Sequence, residues 1–115
     1  MHRITLDRDR GATVVSASGE LDAFVAAELE AAFGGASGDA RIVFDLTAVS
    51  FMDSTALGLL VRAVRDADAK GGAIRVVLPD GTARRIFEIT TLDRVLPIAG
   101  SRNDALAELD GTRPS

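Results

Sequence analysis

The sequence predicts a single-domain α/β fold, a mixed and mostly parallel sheet of four to five strands with about four helices. Three observations carry this. Two β patterns separated by a glycine turn open the chain. After them, strand and helix patterns alternate, which calls for parallel strands joined by right-handed crossovers. Glycine and proline punctuation recurs along the 115 residues, at Gly11, Gly34-Gly35, Gly71-Gly72, Pro79-Asp80-Gly81, Gly100 and Gly111. No linker between these marks is long enough to separate a pair of domains. The domain is expected over 1–110, with 111–115 as a frayed tail.

The elements follow in order. Ile4-Thr5-Leu6 alternates apolar with polar, and Thr13-Val14-Val15-Ser16-Ala17 is β-branched and small, so the two predict a hairpin turning near Arg10-Gly11. From Asp22 the period changes: Phe24, Ala27, Leu29, Ala31, Ala32 and Phe33 suit a helix capped by Asp22 and stopped by Gly34-Gly35. Arg41-Ile42-Val43-Phe44-Asp45-Leu46 is nearly all apolar, the pattern of a strand covered on both faces. Leu57, Leu60, Val61 and Val64 fall at i, i+3, i+4 and i+7 and form one stripe of an α-helix that ends at Gly71. Ala73–Leu78 is another strand, stopped by Pro79. Thr82–Thr90 makes a short helix on Ile86, Phe87 and Ile89. Val95-Leu96-Pro97-Ile98 suits a last edge strand, where proline is tolerated. Ser101-Arg102-Asn103-Asp104 resembles a capping box opening a helix that runs through Leu109.

Composition excludes several chemistries. The chain has no cysteine, which removes disulfides, thiolate metal sites and a thiol nucleophile. A single histidine, His2, cannot build a multi-histidine metal site; it serves a Ser-His-Asp triad only if the N-terminus folds back. With 13 basic against 17 acidic side chains, a net charge of -4 and neither Trp nor Tyr, there is no basic patch with stacking aromatics, so no nucleic-acid partner is expected. No long apolar run occurs, and Met1–Arg10 lacks the apolar core of a signal peptide. The chain is expected to be cytoplasmic, without direct membrane contact, and to use no cofactor or metal.

Two short segments are the candidates for function. Phe51-Met52-Asp53-Ser54-Thr55 leads into the strongest helix and places Asp53, Ser54 and Thr55 at its N-terminus. Backbone N–H groups there lack intrahelical partners and carry partial positive charge, which favours an anion. One reading makes Asp53 or Ser54 simply an N-cap. The other makes the Ser54 hydroxyl a phosphoryl acceptor, with the phosphate held near the helix dipole. The second segment, Gly19-Glu20-Leu21-Asp22, reads on its own as a turn glycine followed by an acidic first helical turn.

Taken together, Gly19-Glu20-Leu21-Asp22 after an opening hairpin, then Val43-Phe44-Asp45-Leu46, then Met52-Asp53-Ser54-Thr55 with Leu57-Gly58-Leu59-Leu60, closely resemble the STAS domain. More narrowly, they resemble the stand-alone bacterial anti-sigma factor antagonists. The resemblance covers Ile4 to Leu109 and includes Gly71-Gly72 before a strand, Phe87, and Asp104-Ala105-Leu106 in the last helix. It implies a STAS-like sandwich and a binding switch rather than an enzyme. Unphosphorylated antagonists of this kind bind an anti-sigma factor serine kinase and free a sigma factor; phosphorylation releases the kinase, and a phosphatase removes the phosphate.

By the same resemblance the acceptor maps onto Ser54, with Thr55 as the alternative, and Asp53 orients the hydroxyl or the partner's nucleotide-bound metal. Ser54, Gly58 and Arg62 share one helix stripe and Thr55, Leu59 and Arg62 the next. With the loop Asp22-Ala23-Phe24 and with Asp53, these residues make the expected partner surface, Leu59 being equally suited to the core. The chain departs from the family at Ala56, where relatives commonly carry glycine; its methyl is expected where a partner backbone would approach.

Other functions compete with this one. The same domain serves as an adaptor subunit in a lipid-transport ATPase or a stress-signalling complex. A phosphoaspartate receiver would use Asp45 at a strand end, but the acidic pair such a fold needs is poorly supplied by Asp7 and Asp9, and Lys70 is misplaced. For an enzyme, nothing pairs the carboxylates with a nucleophile or metal ligands, and no phosphate-binding glycine loop links a strand to a helix.

Overall fold

The computed structural model describes residues 2–78 and 81–111. Five strands form one sheet in the order β1-β2-β3-β4-β5. Strand β1 (His2–Asp9) pairs antiparallel with β2 (Ala12–Leu21), while β3 (Arg41–Met52), β4 (Ala73–Val77) and β5 (Ile98–Ala99) add in parallel. Four α-helices join and close the sheet: α1 (Ala26–Ala36), α2 (Ser54–Ala69), α3 (Thr82–Ile89) and α4 (Arg102–Gly111). The sequence order ββαβαβαβα is the observed one.

The hairpin turns where expected, at Arg10-Gly11. Both residues have positive φ, 50° and 80°, the pair of left-handed conformations that a two-residue turn matched to strand twist requires. The sheet is covered on both sides. On one face Val15, Ile42, Phe44 and Val76 pack under Leu29 and Phe33 of α1, Leu60 and Val64 of α2, and Phe87 of α3. The Phe33 and Phe44 rings meet edge to face, 5.1 Å between centroids, a favoured aromatic geometry. On the other face Ala12, Val14, Val43, Val77 and Ala99 pack under Ala105, Leu106 and Leu109 of α4. This two-sided burial explains the unbroken apolar run in β3.

The structure corrects several element boundaries. Strand β3 extends past Leu46 to Met52 and pairs with an equally extended β2. In its second half only Val49 and Met52 are buried, while Thr47, Ala48, Ser50 and Phe51 are exposed, so the unbroken apolar run stops at Leu46. Gly19 is not a turn: it lies within β2 with φ +80°, beside a register shift against β3 between Gly19 and Glu20, the backbone of a bulge. Asp22 caps a 3₁₀ turn, Ala23–Val25, by accepting from the Phe24 N–H at 3.0 Å, and α1 begins only after it. The buried stripe here is Val25, Leu29, Phe33 and Ala36, not the Phe24–Ala27–Ala31 face. Helix α1 also runs through Gly34-Gly35 to Ala36.

In α2 the buried line is Ala56, Leu60, Ala63, Val64 and Ala67, with Leu57 and Val61 only half-buried. Alanines carry a weak hydrophobic signal but let a helix lie close to its neighbours. Ile89 of α3 faces solvent, 75% exposed, whereas Phe87 is fully buried. The expected strand at 95–98 is a 3₁₀ turn at Leu92–Arg94 followed by only Ile98-Ala99 in the sheet. Ser101 caps α4 as expected, its Oγ accepting from the Asp104 N–H at 3.1 Å. Gly111 closes α4; the rest of the expected tail, 112–115, and the Pro79-Asp80 stop lie outside the described residues.

Candidate functional site

Parallel β2 and β3 end side by side, with Leu21 opposite Met52. The chain leaves both strands at the same edge, so the segments after them, Asp22–Val25 and Asp53–Ala56, are neighbours. Asp53 ties them together. Its N–H donates to the Leu21 carbonyl at 3.0 Å. Its side chain accepts from the Ala56 N–H at 2.9 Å through Oδ1 and from the Ala23 N–H at 3.0 Å through Oδ2. Asp53 is therefore the N-cap of α2, in extended conformation at φ −88°, ψ 179°, and also the clamp that holds the 3₁₀ turn against that helix. Charged acceptors bonded to backbone N–H groups are stronger than neutral ones.

Ser54 is the first residue of α2 and is exposed, as is Thr55. The Ser54 hydroxyl is committed to no hydrogen bond among the described residues, and at this helix position the backbone N–H groups of the first turn lack intrahelical partners. The site thus offers an accessible hydroxyl beside a partial positive charge, on a backbone fixed from both sides. Phe24, which the clamped turn presents, is 97% exposed. A ring left almost wholly in water beside such a hydroxyl has no packing role in the free chain.

The other expected partner residues divide. Gly58 and Arg62 are exposed along α2, and Asp22 and Ala23 lie in the clamped turn. A Cβ added at Gly58 would meet nothing within 4 Å, so the helix surface there is open. Leu59 is half-buried: it packs against the core and lines a groove of about 250 Å³ with Phe33, Gly34, Arg62 and Ala63. Ala56 is fully buried. Its methyl points into the core and not toward a partner, which corrects the expectation drawn from the missing glycine. Phe51, 45% exposed at the end of β3, is an apolar surface residue that the sequence pattern does not single out; its place in an apolar run next to Met52 hides it.

Rival chemistries lose their geometry. His2 contacts Glu28 at 2.9 Å on α1 and is not aimed at Ser54. Asp45 is buried in mid-strand, not exposed at a strand end as a receiver needs: Thr47 donates to it through both N–H and hydroxyl, and Arg102 Nε donates to it at 2.8 Å. Burial alone would raise its pKa, but these donors and the Arg102 charge outweigh it and hold the carboxyl below its ordinary value. Among the described residues no group of three His, Cys, Asp or Glu side chains could hold a metal, and no helix is long and apolar enough to cross a membrane.

The STAS domain family model matches residues 3–105. The chain belongs to the STAS family. Among STAS relatives it is 31% identical over 112 residues to the anti-sigma-F factor antagonist RsfB of Mycobacterium tuberculosis, covering 96% of this chain and 91% of that one. A match to a TM1081 homologue from Thermotoga neapolitana extends over 63% of that protein's length. The crystal structure of an anti-sigma factor antagonist from Mycobacterium paratuberculosis superposes with a TM-score of 0.87 at 30% identity, over 96% of this chain and 95% of that one. The phosphorylated form of the Bacillus cell-fate determinant SpoIIAA superposes with a TM-score of 0.63 at 26% identity, over 96% of this STAS chain and all of that one.

Proposed function

We propose that this STAS protein is an anti-sigma factor antagonist. Unphosphorylated, it binds an anti-sigma serine kinase in the cytoplasm and so frees a sigma factor. Phosphorylation at Ser54 ends the complex, and a phosphatase resets it. The observation that carries this reading is the exposed, uncommitted Ser54 hydroxyl at the start of α2, held next to a fully exposed Phe24 by the Asp53 clamp. The protein acts by presenting a surface and needs no metal, cofactor or catalytic residue of its own.

The switch follows from local electrostatics. Phosphate on Ser54 adds about 1.5 to 2 negative charges. In the free chain the helix N-terminus offsets some of that charge. In a complex, a partner surface packed on Ser54, Gly58 and Phe24 would have to bury a strongly hydrated dianion beside the Asp53 carboxylate. Left unpaired, such a group costs several kcal/mol, enough to dissolve a micromolar complex. No refolding is required, because the site's backbone is already fixed.

The test is phosphorylation by the cognate kinase with ATP. Ser54→Ala is expected to accept no phosphate and Thr55→Ala to accept it at the wild-type rate; the reverse pattern moves the acceptor to Thr55. Ser54→Asp is expected to weaken kinase binding at least tenfold, and Phe24→Ala to do the same, both with the melting temperature nearly unchanged. Equal affinity for Ser54→Asp and wild type would sink the charge-release mechanism.

A further inference from the structure

Strand β1 is one edge of the sheet, opposite the two-residue edge strand β5. The two-residue turn at Arg10-Gly11 makes Asp9 and Ala12 the hydrogen-bonded pair that closes the hairpin. Strand alternation then turns the backbone groups of Arg3, Thr5 and Asp7 toward β2 and those of His2, Ile4, Leu6 and Arg8 away from the sheet. One contact agrees with that assignment: the Arg8 N–H donates to Asp7 Oδ1 at 2.9 Å, as only an outward amide is free to do. Edge strands are commonly protected by proline, a bulge, short length, a covering element or charged side chains. Strand β1 has no proline, runs in continuous register from His2 to Asp9, and leaves Leu6 half-exposed.

What the edge does carry is charge in a self-complementary order. We propose that β1 is a homodimer interface, on which a second copy of the chain adds its own β1 antiparallel about a twofold axis through Thr5. In that register the outward groups of Ile4 and Leu6 face those of Leu6 and Ile4 of the second copy and can exchange hydrogen bonds. Arg3 stands opposite Asp7 of the second copy, and Asp7 opposite its Arg3, at the non-hydrogen-bonded positions where side chains come closest. Thr5 meets Thr5 on the axis. His2 falls opposite Arg8, with the Glu28 carboxylate already against His2 at 2.9 Å. Sliding the partner by two residues either way sets Leu6 against His2 or Ile4 against Arg8, so the Thr5-centred register alone matches both the apolar and the charged pairs.

The experiment is sedimentation velocity from low micromolar to submillimolar protein. The wild type is expected to pass from the mass of one chain to that of two. R3D and D7R each set like charges face to face at both symmetry-related positions, and each is expected to raise the dimer dissociation constant at least about tenfold. Mixing R3D with D7R restores opposite charges across the edge and is expected to recover the two-chain mass, as is the double exchange R3D/D7R. Both side chains are exposed, and melting curves check that each variant folds; should either single reversal unfold, the double exchange carries the test alone. A wild type that stays at one chain throughout overturns the proposal, as does a dimer indifferent to either reversal.

Discussion

At Ala56 a single methyl separates two accounts of the docking helix. Were it on the partner side, replacing it by the glycine common in relatives would open the surface. It is instead fully buried, under an N–H that Asp53 caps. Ala56→Gly removes that core methyl and loosens the first turn, and is expected to cost about 1–2 kcal/mol in denaturant unfolding. The rate of phosphorylation at Ser54 is expected to stay within twofold of wild type; a large rate gain would return the methyl to the partner side. At this scale the sequence was legible where a residue type meets a local need. Spacing alone left the cap of α2 to Asp53 or Ser54, and the structure gives it to Asp53. Its second bond, to the Ala23 N–H thirty residues away in sequence, was not legible, because it depends on two parallel strands ending together. Phe24 shows the same limit from the other side: its spacing assigns it to the α1 core, and only the 3₁₀ turn before α1 turns it out to solvent.

At the scale of elements, α2 shows how a helix end is fixed by long-range packing. After Lys70 the chain enters the left-handed region at Gly71, φ +83°. The Gly72 N–H donates to the Ala67 carbonyl and the Gly71 N–H to the Asp68 carbonyl, both at 3.0 Å, the paired bonds of a Schellman ending. The stop at Gly71 was therefore readable from sequence. The need for Gly72 was not, since its φ is ordinary. A Cβ there would lie 3.0 Å from the Asp39 carbonyl and 3.2 Å from that of Ala67, and backbone cannot give way as a flexible side chain can. Gly72→Ala is thus expected to destabilise by about 1–3 kcal/mol, exceeding the entropic gain of about 0.4–1 kcal/mol such a change usually brings. Urea midpoints measure it, and an unchanged or higher midpoint would show that the joint before β4 yields. The helices were found by period, but the buried face of α2 was misjudged because Ala56, Ala63 and Ala67 fill its close contacts and weigh little in a hydrophobic pattern. That of α1 was misjudged because a 3₁₀ turn precedes the helix.

For the molecule as a whole, Arg75 of β4 bonds Glu108 of the last helix at 2.8 Å, and a second guanidinium carried by that helix reaches three strands of the sheet. Arg102, the first residue of α4, donates to Asp45 on β3 at 2.8 Å and to Ser16 on β2 at 2.9 Å, and lies 3.6 Å from Asp9 on β1. The sequence predicted the helix and its Ser101 cap, but not this fastening, which spans most of the chain. Asp45 has a folded pKa below its ordinary value of 3.8, so the folded state binds fewer protons than the unfolded one. Its contribution is complete above that value and lost as pH falls through the lower, folded one. Arg102 is 38% exposed at its side chain, so solvent screens the pair, and the charge contribution is put at about 1 kcal/mol. Asp45→Asn keeps an acceptor for Thr47 but removes the charge facing Arg102. Near neutral pH it is expected to lower stability by about 1–3 kcal/mol. The gap between variant and wild type is expected to narrow as the solution is acidified below the ordinary aspartate value, because the wild type then loses the same charge. Paired unfolding curves across that range decide it: a gap that stays constant would mean that packing around Asp45, and not its charge, holds α4 to the back of the sheet.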